Sequence, residues 1–187
     1  MDKKGLIRKN YIVKRKKNYF SIDSNFFKPL IDLIEKKKFK KKPKISLYFP
    51  TLNETNVLKI LDNDYFKNFI FLLPVIEREN NMNFYSWKKN DILRINKYGI
   101  LEPIKTKKVI PDIILVPLLA FDKNKNRLGY GKGFYDKFLN KYVKTRQRIL
   151  SIGIAFSFQK HHNLPHNNKD FKLDFIITEK GIYWWIY

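Results

Sequence analysis

The sequence predicts an α/β domain whose mostly parallel sheet is covered on both faces. Three observations carry that expectation. The runs Phe69-Ile70-Phe71-Leu72-Leu73, Ile113-Ile114-Leu115-Val116, Ile149 to Ala155 and Phe175-Ile176-Ile177-Thr178 are short and largely apolar rather than alternating, as strands buried on both faces are. Helical or irregular stretches separate them, the order that builds βαβ units. A chain of 187 residues with 44% hydrophobic content supplies one substantial core, so a single domain over residues 1–187 is expected.

Residues 2–17 set Leu6, Ile7, Tyr11, Ile12 and Val13 among lysines and arginines, a loose helical stripe with a basic outer face. Ser21 or Asp23 caps a second helix through Phe26, Phe27, Leu30, Ile31 and Ile34, with Pro29 marking its true start. The lysine runs 36–38 and 40–42, closed by Pro43, read as a solvated linker. Ile45 to Phe49 alternates and stops at Pro50, a first strand. Glu54 then stands before a helical stretch with Val57, Leu58, Ile60 and Leu61; it either starts that helix or meets a ligand at the strand's C-terminal edge. The second strand is stopped by Pro74. Met82 to Trp87 is a short aromatic strand, where Tyr85 and Trp87 serve packing more readily than a ring-shaped ligand. Residues 91–110 read as loop, punctuated by Gly99 and Pro103. Asp112 to Pro117 is the strongest strand, leading through Ala120-Phe121-Asp122 and a Lys/Asn turn into Arg127 to Asp136; Phe134 to Val143 is a short helix. In such sheets ligands sit beyond the C-terminal strand ends, where Glu54, the glycine-rich loop and the segment after Ala155 converge.

Composition narrows the chemistry. Without cysteine there are no disulfides, thiolate metal sites or cysteine nucleophiles, which fits a reducing compartment. No apolar run approaches the roughly 20 residues that span a bilayer, and no secretory signal is legible, so a cytoplasmic address and no membrane partner are expected. The net charge of +22 would by itself suggest a polyanion. Yet Arg supplies only seven of the 39 basic residues, and phosphate or base readout favours the Arg fork. Codon bias toward Lys, Asn, Ile, Phe and Tyr accounts for the charge, and a nucleic-acid partner is disfavoured.

Arg127-Leu128-Gly129-Tyr130-Gly131-Lys132-Gly133-Phe134-Tyr135-Asp136 gathers three of the seven glycines into five residues. Glycine lets the backbone turn sharply and approach an anion. A helix opening near Gly133 turns its free N–H groups and positive dipole end on the same point, and Lys132 adds a mobile charge. This is neither a Walker loop, since Gly133 follows Lys132, nor a dinucleotide fingerprint. Asp136 in the first helical turn complements the dipole, or, beside a polyphosphate, shares a magnesium ion with a second carboxylate, Asp170 or Asp174. His161, His162 and His166 fit no common zinc spacing and read as loop residues.

Taken together, Asp112 to Pro117, Ala120 to Asp122 and Arg127 to Asp136 resemble the signature of the 5-formyltetrahydrofolate cyclo-ligase family, also called methenyltetrahydrofolate synthetases. The resemblance runs over almost the whole chain: Lys4 and Arg8 match N-terminal residues that reach ATP, Phe49 and Glu54 fall where folate is contacted, and Gln159, Pro165, Asp170 and Asp174 to Glu179 match the closing motif. It implies a three-layer α/β/α domain of the ribose-5-phosphate isomerase/CoA transferase type. The implied reaction converts 5-formyltetrahydrofolate and ATP to 5,10-methenyltetrahydrofolate, ADP and phosphate through phosphorylation of the formyl oxygen. It implies that the backbone from Leu128 through Tyr135 cradles ATP, helped by Lys4, Arg8, Arg127 and Lys132, with Arg127 and Lys132 acting on the transferred group. Phe49, Glu54, Tyr130 and Phe134 would border the folate, and Asp136 with Asp170 would hold Mg2+. Two positions depart from the family pattern: Phe134 replaces the first tyrosine of Tyr-Tyr-Asp, and Val57 stands where a threonine is usual. The alternatives are a sugar-phosphate isomerase or acyl-CoA transferase relative, and a basic nucleic-acid-associated protein without folate activity.

Overall fold

The computed structural model describes residues 2–143 and 149–183. Its strands are β1 (Ile45–Ser46), β2 (Phe71–Ile76), β3 (Met82–Ser86), β4 (Leu93–Ile95), β5 (Leu101–Pro103), β6 (Ile113–Pro117), β7 (Ala120–Phe121), β8 (Arg127–Leu128), β9 (Leu150–Ile154), β10 (Phe175–Thr178) and β11 (Gly181–Ile182). The helices are α1 (Lys3–Asn18), α2 (Lys28–Lys37) and α3 (Phe134–Val143). Among the described residues one seven-stranded sheet forms in the order β11-β10-β9-β6-β1-β2-β3, and β4-β5 and β7-β8 make separate hairpins. The five inner strands run parallel, and β3 and β11 close the edges antiparallel.

The side-chain period of two sends alternate residues of each strand into different layers. Ile45, Leu47, Phe71, Leu73, Ile113 and Leu115 face one side with Leu30, Leu33 and Ile34 of α2. Leu72, Ile114, Val116 and Ile176 face the other with Phe138 and Leu139 of α3. Both faces are therefore covered, at about 1.5–3 kcal/mol for each large apolar side chain fully removed from water.

Several expectations need correction. β2 passes through Pro74 to Ile76 instead of stopping. The carbonyls of Ile70 and Leu72 accept from β1, Pro74 is next on that side, and β1 has already ended, so its missing N–H leaves no bond unmade. The first strand pairs over Ile45–Ser46 alone, because the chain turns off after Leu47 toward Glu54. The stretch after Glu54 forms 3-10 turns, Val57–Asp62 and Asp64–Phe66, since the side chains of Asn56 and Asn63 capture the N–H groups of Leu58 and Tyr65. Residues 91–110 are not plain loop but carry the β4-β5 hairpin, pinned by Glu102, which accepts from Arg94, Asn96 and the Ile76 N–H. On α1 the expected apolar stripe holds in part: Ile7 and Tyr11 pack on Leu119, Leu128 and Leu164, whereas Leu6, Ile12 and Val13 are exposed. Acceptors on the body of the protein draw the long cationic side chains of Lys4, Arg8 and Arg15 to the inward face beside them.

Tyr85 and Trp87 are buried and serve packing, as the sequence favoured. The lysines of runs 36–38 and 40–42 lie exposed, as expected, but Lys36 and Lys37 are the last turn of α2 and only the part after Lys38 is linker.

Candidate active site

The glycine-rich loop is placed by the hairpin before it. Buried Asp122 organises the β7-β8 turn: Oδ1 accepts the N–H groups of Asn124 (2.9 Å) and Asn126 (3.1 Å), and Oδ2 accepts the Asn126 amide (3.0 Å) and the Leu164 N–H (3.1 Å). From this anchored turn the chain runs into Gly131 and Gly133, at φ +97° and +70°, a region that L side chains rarely adopt. The Lys137 N–H then bonds the Gly133 carbonyl at 2.9 Å, opening α3 with its first-turn N–H groups outside the helix's own ladder.

Four cations border the loop. Arg8 Nε donates to the Gly129 carbonyl at 2.9 Å, and its guanidinium lies so close to Gly131 that a β-carbon there would come within 3.2 Å of Cζ. Lys4 Nζ meets Asp170 Oδ2 at 2.5 Å. Arg127 meets Asp136 Oδ1 at 2.9 Å with its own side chain buried. Lys132 Nζ lies 5.7 Å from the centre of the Tyr98 ring, which itself is 5.6 Å from Phe134.

The two aspartates arrive from opposite elements, Asp136 from α3 and Asp170 from the segment between β9 and β10. Asp136 Oδ1 also accepts the Phe171 N–H (3.0 Å), and Asp170 Oδ2 the Asn167 N–H (2.7 Å). Among the described residues the other oxygen of each carboxylate takes no hydrogen bond from protein. Partial burial raises the Asp170 carboxyl, but Lys4 and the Asn167 N–H outweigh it and hold the group below the ordinary aspartate value.

Glu54 lies on another wall, buried, its Oε2 accepting the Thr51 N–H (2.8 Å) and hydroxyl (3.2 Å). The Tyr130 hydroxyl lies near the same carboxylate and helps to favour its charged form. Burial raises the Glu54 carboxyl above the ordinary glutamate value, while Thr51, Arg15 and Tyr130 pull against it without cancelling it. Tyr48, Tyr130 and Tyr135 are all pushed up, by burial first and then by the Glu54 charge, so the ring of phenols around Glu54 is neutral.

One cavity of about 790 Å3 joins these walls. It lies beyond the C-terminal ends of β1, β2 and β6, and the residues that the family resemblance assigned to ATP, folate and the metal all line it: Lys4, Arg8, Phe49, Glu54, the loop from Arg127 through Tyr135, Asp136 and Asp170. Asp174 is not there. It accepts from the Ser151 N–H and hydroxyl, both at 2.8 Å, and so ties β9 to the start of β10. Gln159 is structural too, donating to the carbonyls of Leu118 (2.9 Å) and Leu119 (3.0 Å). Val57 is buried in the α2 layer and does not reach the cavity, whereas Phe134 lines it. His161, His162 and His166 lie outside any helix or strand, as the loop reading expected.

Sequence reasoning missed the wall formed by Asn96, Tyr98, Gly99 and Ile100 at the tip of β4-β5, and missed Thr51, Asn167 and Arg15. The hairpin was recoverable: alternation on both sides of Asn96-Lys97-Tyr98-Gly99, with glycine closing the turn, is a hairpin pattern. For Arg15 the signal is its place in the 4, 8, 11, 15 series on one helical face.

Known proteins share both the sequence and the fold. Residues 3–179 match the model of the 5-formyltetrahydrofolate cyclo-ligase family. A 5-formyltetrahydrofolate cyclo-ligase of Haemophilus influenzae is 31% identical over 150 residues, 76% of this chain and 78% of that protein. A probable 5-formyltetrahydrofolate cyclo-ligase of Schizosaccharomyces pombe is 28% identical over 177 residues, 86% of this chain and 87% of its own. The NMR structure of the Aquifex aeolicus 5,10-methenyltetrahydrofolate synthetase superposes with a TM-score of 0.74 at 30% identity, covering 96% of this chain and 91% of that one. With a match that begins at the helix bearing Lys4 and runs past Asp170 into the last parallel strand, the chain belongs to the 5-formyltetrahydrofolate cyclo-ligase family.

Proposed function

We propose that the cavity holds ATP and 5-formyltetrahydrofolate together and that this chain is the ATP-dependent cyclo-ligase that converts them to 5,10-methenyltetrahydrofolate, ADP and phosphate. The observation that carries this reading is the union, in one cavity, of a phosphate cradle with four cations and a separate wall bearing a buried carboxylate among neutral phenols. The main-chain amides from Gly129 to Gly133, the N-terminus of α3 and the side chains of Lys4, Arg8, Arg127 and Lys132 take the polyphosphate. The formyl oxygen belongs to an amide and has no proton to lose, so it attacks the γ-phosphoryl group without a general base once nucleophile and leaving group are in line. Lys132 and Arg127 offset the charge of the group in flight. The phosphorylated carbon is then electrophilic enough for the neighbouring nitrogen to close on it, and phosphate departs.

Glu54 orients the other substrate. The Thr51 N–H and hydroxyl both donate to its Oε2, so it serves as an acceptor and offers its remaining capacity to N–H groups of the pterin ring, with Phe49, Tyr130 and Phe134 along the folate. The donor set fits magnesium: two carboxylates on one cavity, each with an oxygen not bonded to protein, are what this ion uses beside phosphate oxygens. Asp136 and Asp170 would hold it, and the ion would supply charge neutralisation for the phosphates.

The parallel core with helices on both faces supports the ribose-5-phosphate isomerase/CoA transferase type and a single domain over residues 1–187. Dependence on ATP supports a cytoplasmic location; among the described residues no helix is long and apolar enough to cross a membrane. The nucleic-acid alternative finds no support in the family assignment. ADP release measured with and without 5-formyltetrahydrofolate tests the reading: release should require the folate and accompany the near-ultraviolet absorbance of the methenyl product. ADP release indifferent to folate would overturn it.

A further inference from the structure

Behind the folate wall, off the cavity, lies a charge that the reaction as described does not use. Arg15 is 1% exposed, near the end of α1, and among the described residues it forms no ion pair within 4 Å. One terminal nitrogen donates to the Tyr130 hydroxyl, the other to the Leu118 carbonyl at 3.5 Å, and Nε has no hydrogen-bond partner. The guanidinium carbon lies 5.5 Å from the centre of the Tyr130 ring. A buried cation satisfied so sparsely is a poor device for stability, since an apolar side chain would fill the same space without the desolvation cost. Its value lies in direction. Arginine can only donate, so the Tyr130 oxygen must accept from it, and the phenolic proton is left to point at Glu54.

We propose that Arg15 is a positioning residue for the folate half of the site: it fixes the Tyr130 hydroxyl as a donor to Glu54 and supplies the positive field that keeps Glu54 an ionised acceptor toward the substrate. The same helix carries Lys4 and Arg8 at the phosphate half, and the 11 residues from Lys4 to Arg15 span about 16 Å. One rigid element thus serves both substrates. The charged and titratable groups acting on Glu54 are Arg15 from α1, Tyr48 from the segment after β1, and Tyr130 and Tyr135 from the loop and α3. The three phenols stay neutral, which leaves Arg15 as the one cation among these four groups. Burial holds the Glu54 carboxyl up and Arg15 holds it down, so loss of the cation raises it further and the acceptor form is lost at a higher pH.

The inference rests on the cyclo-ligase reading, and its test presupposes folate-dependent ADP release by the unsubstituted protein. Steady-state kinetics of the full chain are compared for Arg15→Met and Arg15→Lys over pH 5–9. In Arg15→Met the KM for 5-formyltetrahydrofolate is expected to rise about tenfold, with the KM for ATP changed less than about twofold. The acid limb of kcat/KM for the folate should move to higher pH, and Arg15→Lys, which keeps the charge, should restore the limb. A limb that stays put in Arg15→Met, or KM values for folate and ATP that rise together, marks Arg15 as merely structural and overturns the proposal. Should Arg15→Met fail to fold, Arg15→Lys decides: an acid limb displaced despite the retained charge overturns it, and an unmoved limb with a raised folate KM upholds it. Absence of folate-dependent ADP release in the unsubstituted protein would instead sink the proposed function.

Discussion

In the proposed reaction Asp136 serves structure and chemistry through different atoms. Its Oδ1 holds Arg127 and the Phe171 N–H, joining α3 to the segment before β10, and its Oδ2 is left to the cavity. Asparagine keeps a carbonyl oxygen for the first task and loses the charge needed for the second. Asp136→Asn is therefore expected to lower turnover about 100-fold with the fold retained, though the thermal midpoint drops because buried Arg127 loses its counter-charge. Near-normal magnesium-dependent turnover would remove Asp136 from the metal site. Asp136 was legible because it follows a glycine cluster at the start of a helix, a local pattern. Position alone did not separate Asp170 from Asp174, since both precede the same strand, and only the family resemblance chose Asp170. The fold distinguishes them: Asp174 satisfies Ser151 at the sheet, and Asp170 turns to Lys4 across the cavity. Arg15 escaped because its importance comes from three groups 103 or more positions away or on another segment, namely Leu118, Tyr130 and Glu54.

At the scale of elements, the loop and the hairpin that leans on it make separable predictions. Gly131 and Gly133 share a positive φ, yet a β-carbon at Gly131 would crowd the Arg8 guanidinium, and one at Gly133 meets nothing within 4 Å. Alanine at either position costs roughly 1–2 kcal/mol of backbone strain. Only Gly131→Ala also displaces a phosphate-side cation, so it should raise the KM for ATP more than Gly133→Ala at similar thermal midpoints. Equal ATP KM values would mean that Arg8 does not depend on the close approach. The β4-β5 hairpin contributes Tyr98, whose ring is tilted against Phe134 and lies near Lys132. Losing a cation–π contact worth about 0.5–1 kcal/mol, Tyr98→Ala is expected to raise the KM for ATP roughly two- to fivefold and to leave the seven-stranded sheet intact by circular dichroism. This hairpin went unread because strands of three residues give an alternating pattern too short to stand out from the loop around it. The stripe on α1 was misjudged in part, for the opposite reason. Its apolar residues were visible, but which face turns inward was decided by acceptors on distant segments, above all the Gly129 carbonyl and Asp170.

For the molecule as a whole, the parallel sheet and its two layers were legible because strands buried on both faces advertise themselves as unbroken apolar runs, and alternate residues then assign themselves to opposite layers. What the runs do not state is the strand order. That follows from crossovers, and it is strand order that sets β1 between β2 and β6 and so brings Glu54 to the cavity that the glycine loop borders. The charge of +22 belongs to this scale as well. Inside the cavity the formal charges of the lining residues balance, with Lys4, Arg8, Arg127 and Lys132 against Asp2, Glu54, Asp136 and Asp170, so the excess lies elsewhere on the molecule. A surface so rich in lysine repels itself, and the acids available for pairing, such as Asp62 between Lys59 and Lys89, are too few to offset it. Raising monovalent salt from about 10 mM to about 150 mM shortens the screening length from roughly 30 Å to roughly 8 Å, which relieves the repulsion and also shields incoming ATP from the positive field. The thermal midpoint should therefore rise over this range while kcat/KM for ATP falls, and the two are measurable on one preparation by differential scanning fluorimetry and initial rates. A midpoint that fell with salt would show that ion pairs outweigh self-repulsion in this fold, and a salt-independent kcat/KM would show that the lysine surface does not steer the nucleotide.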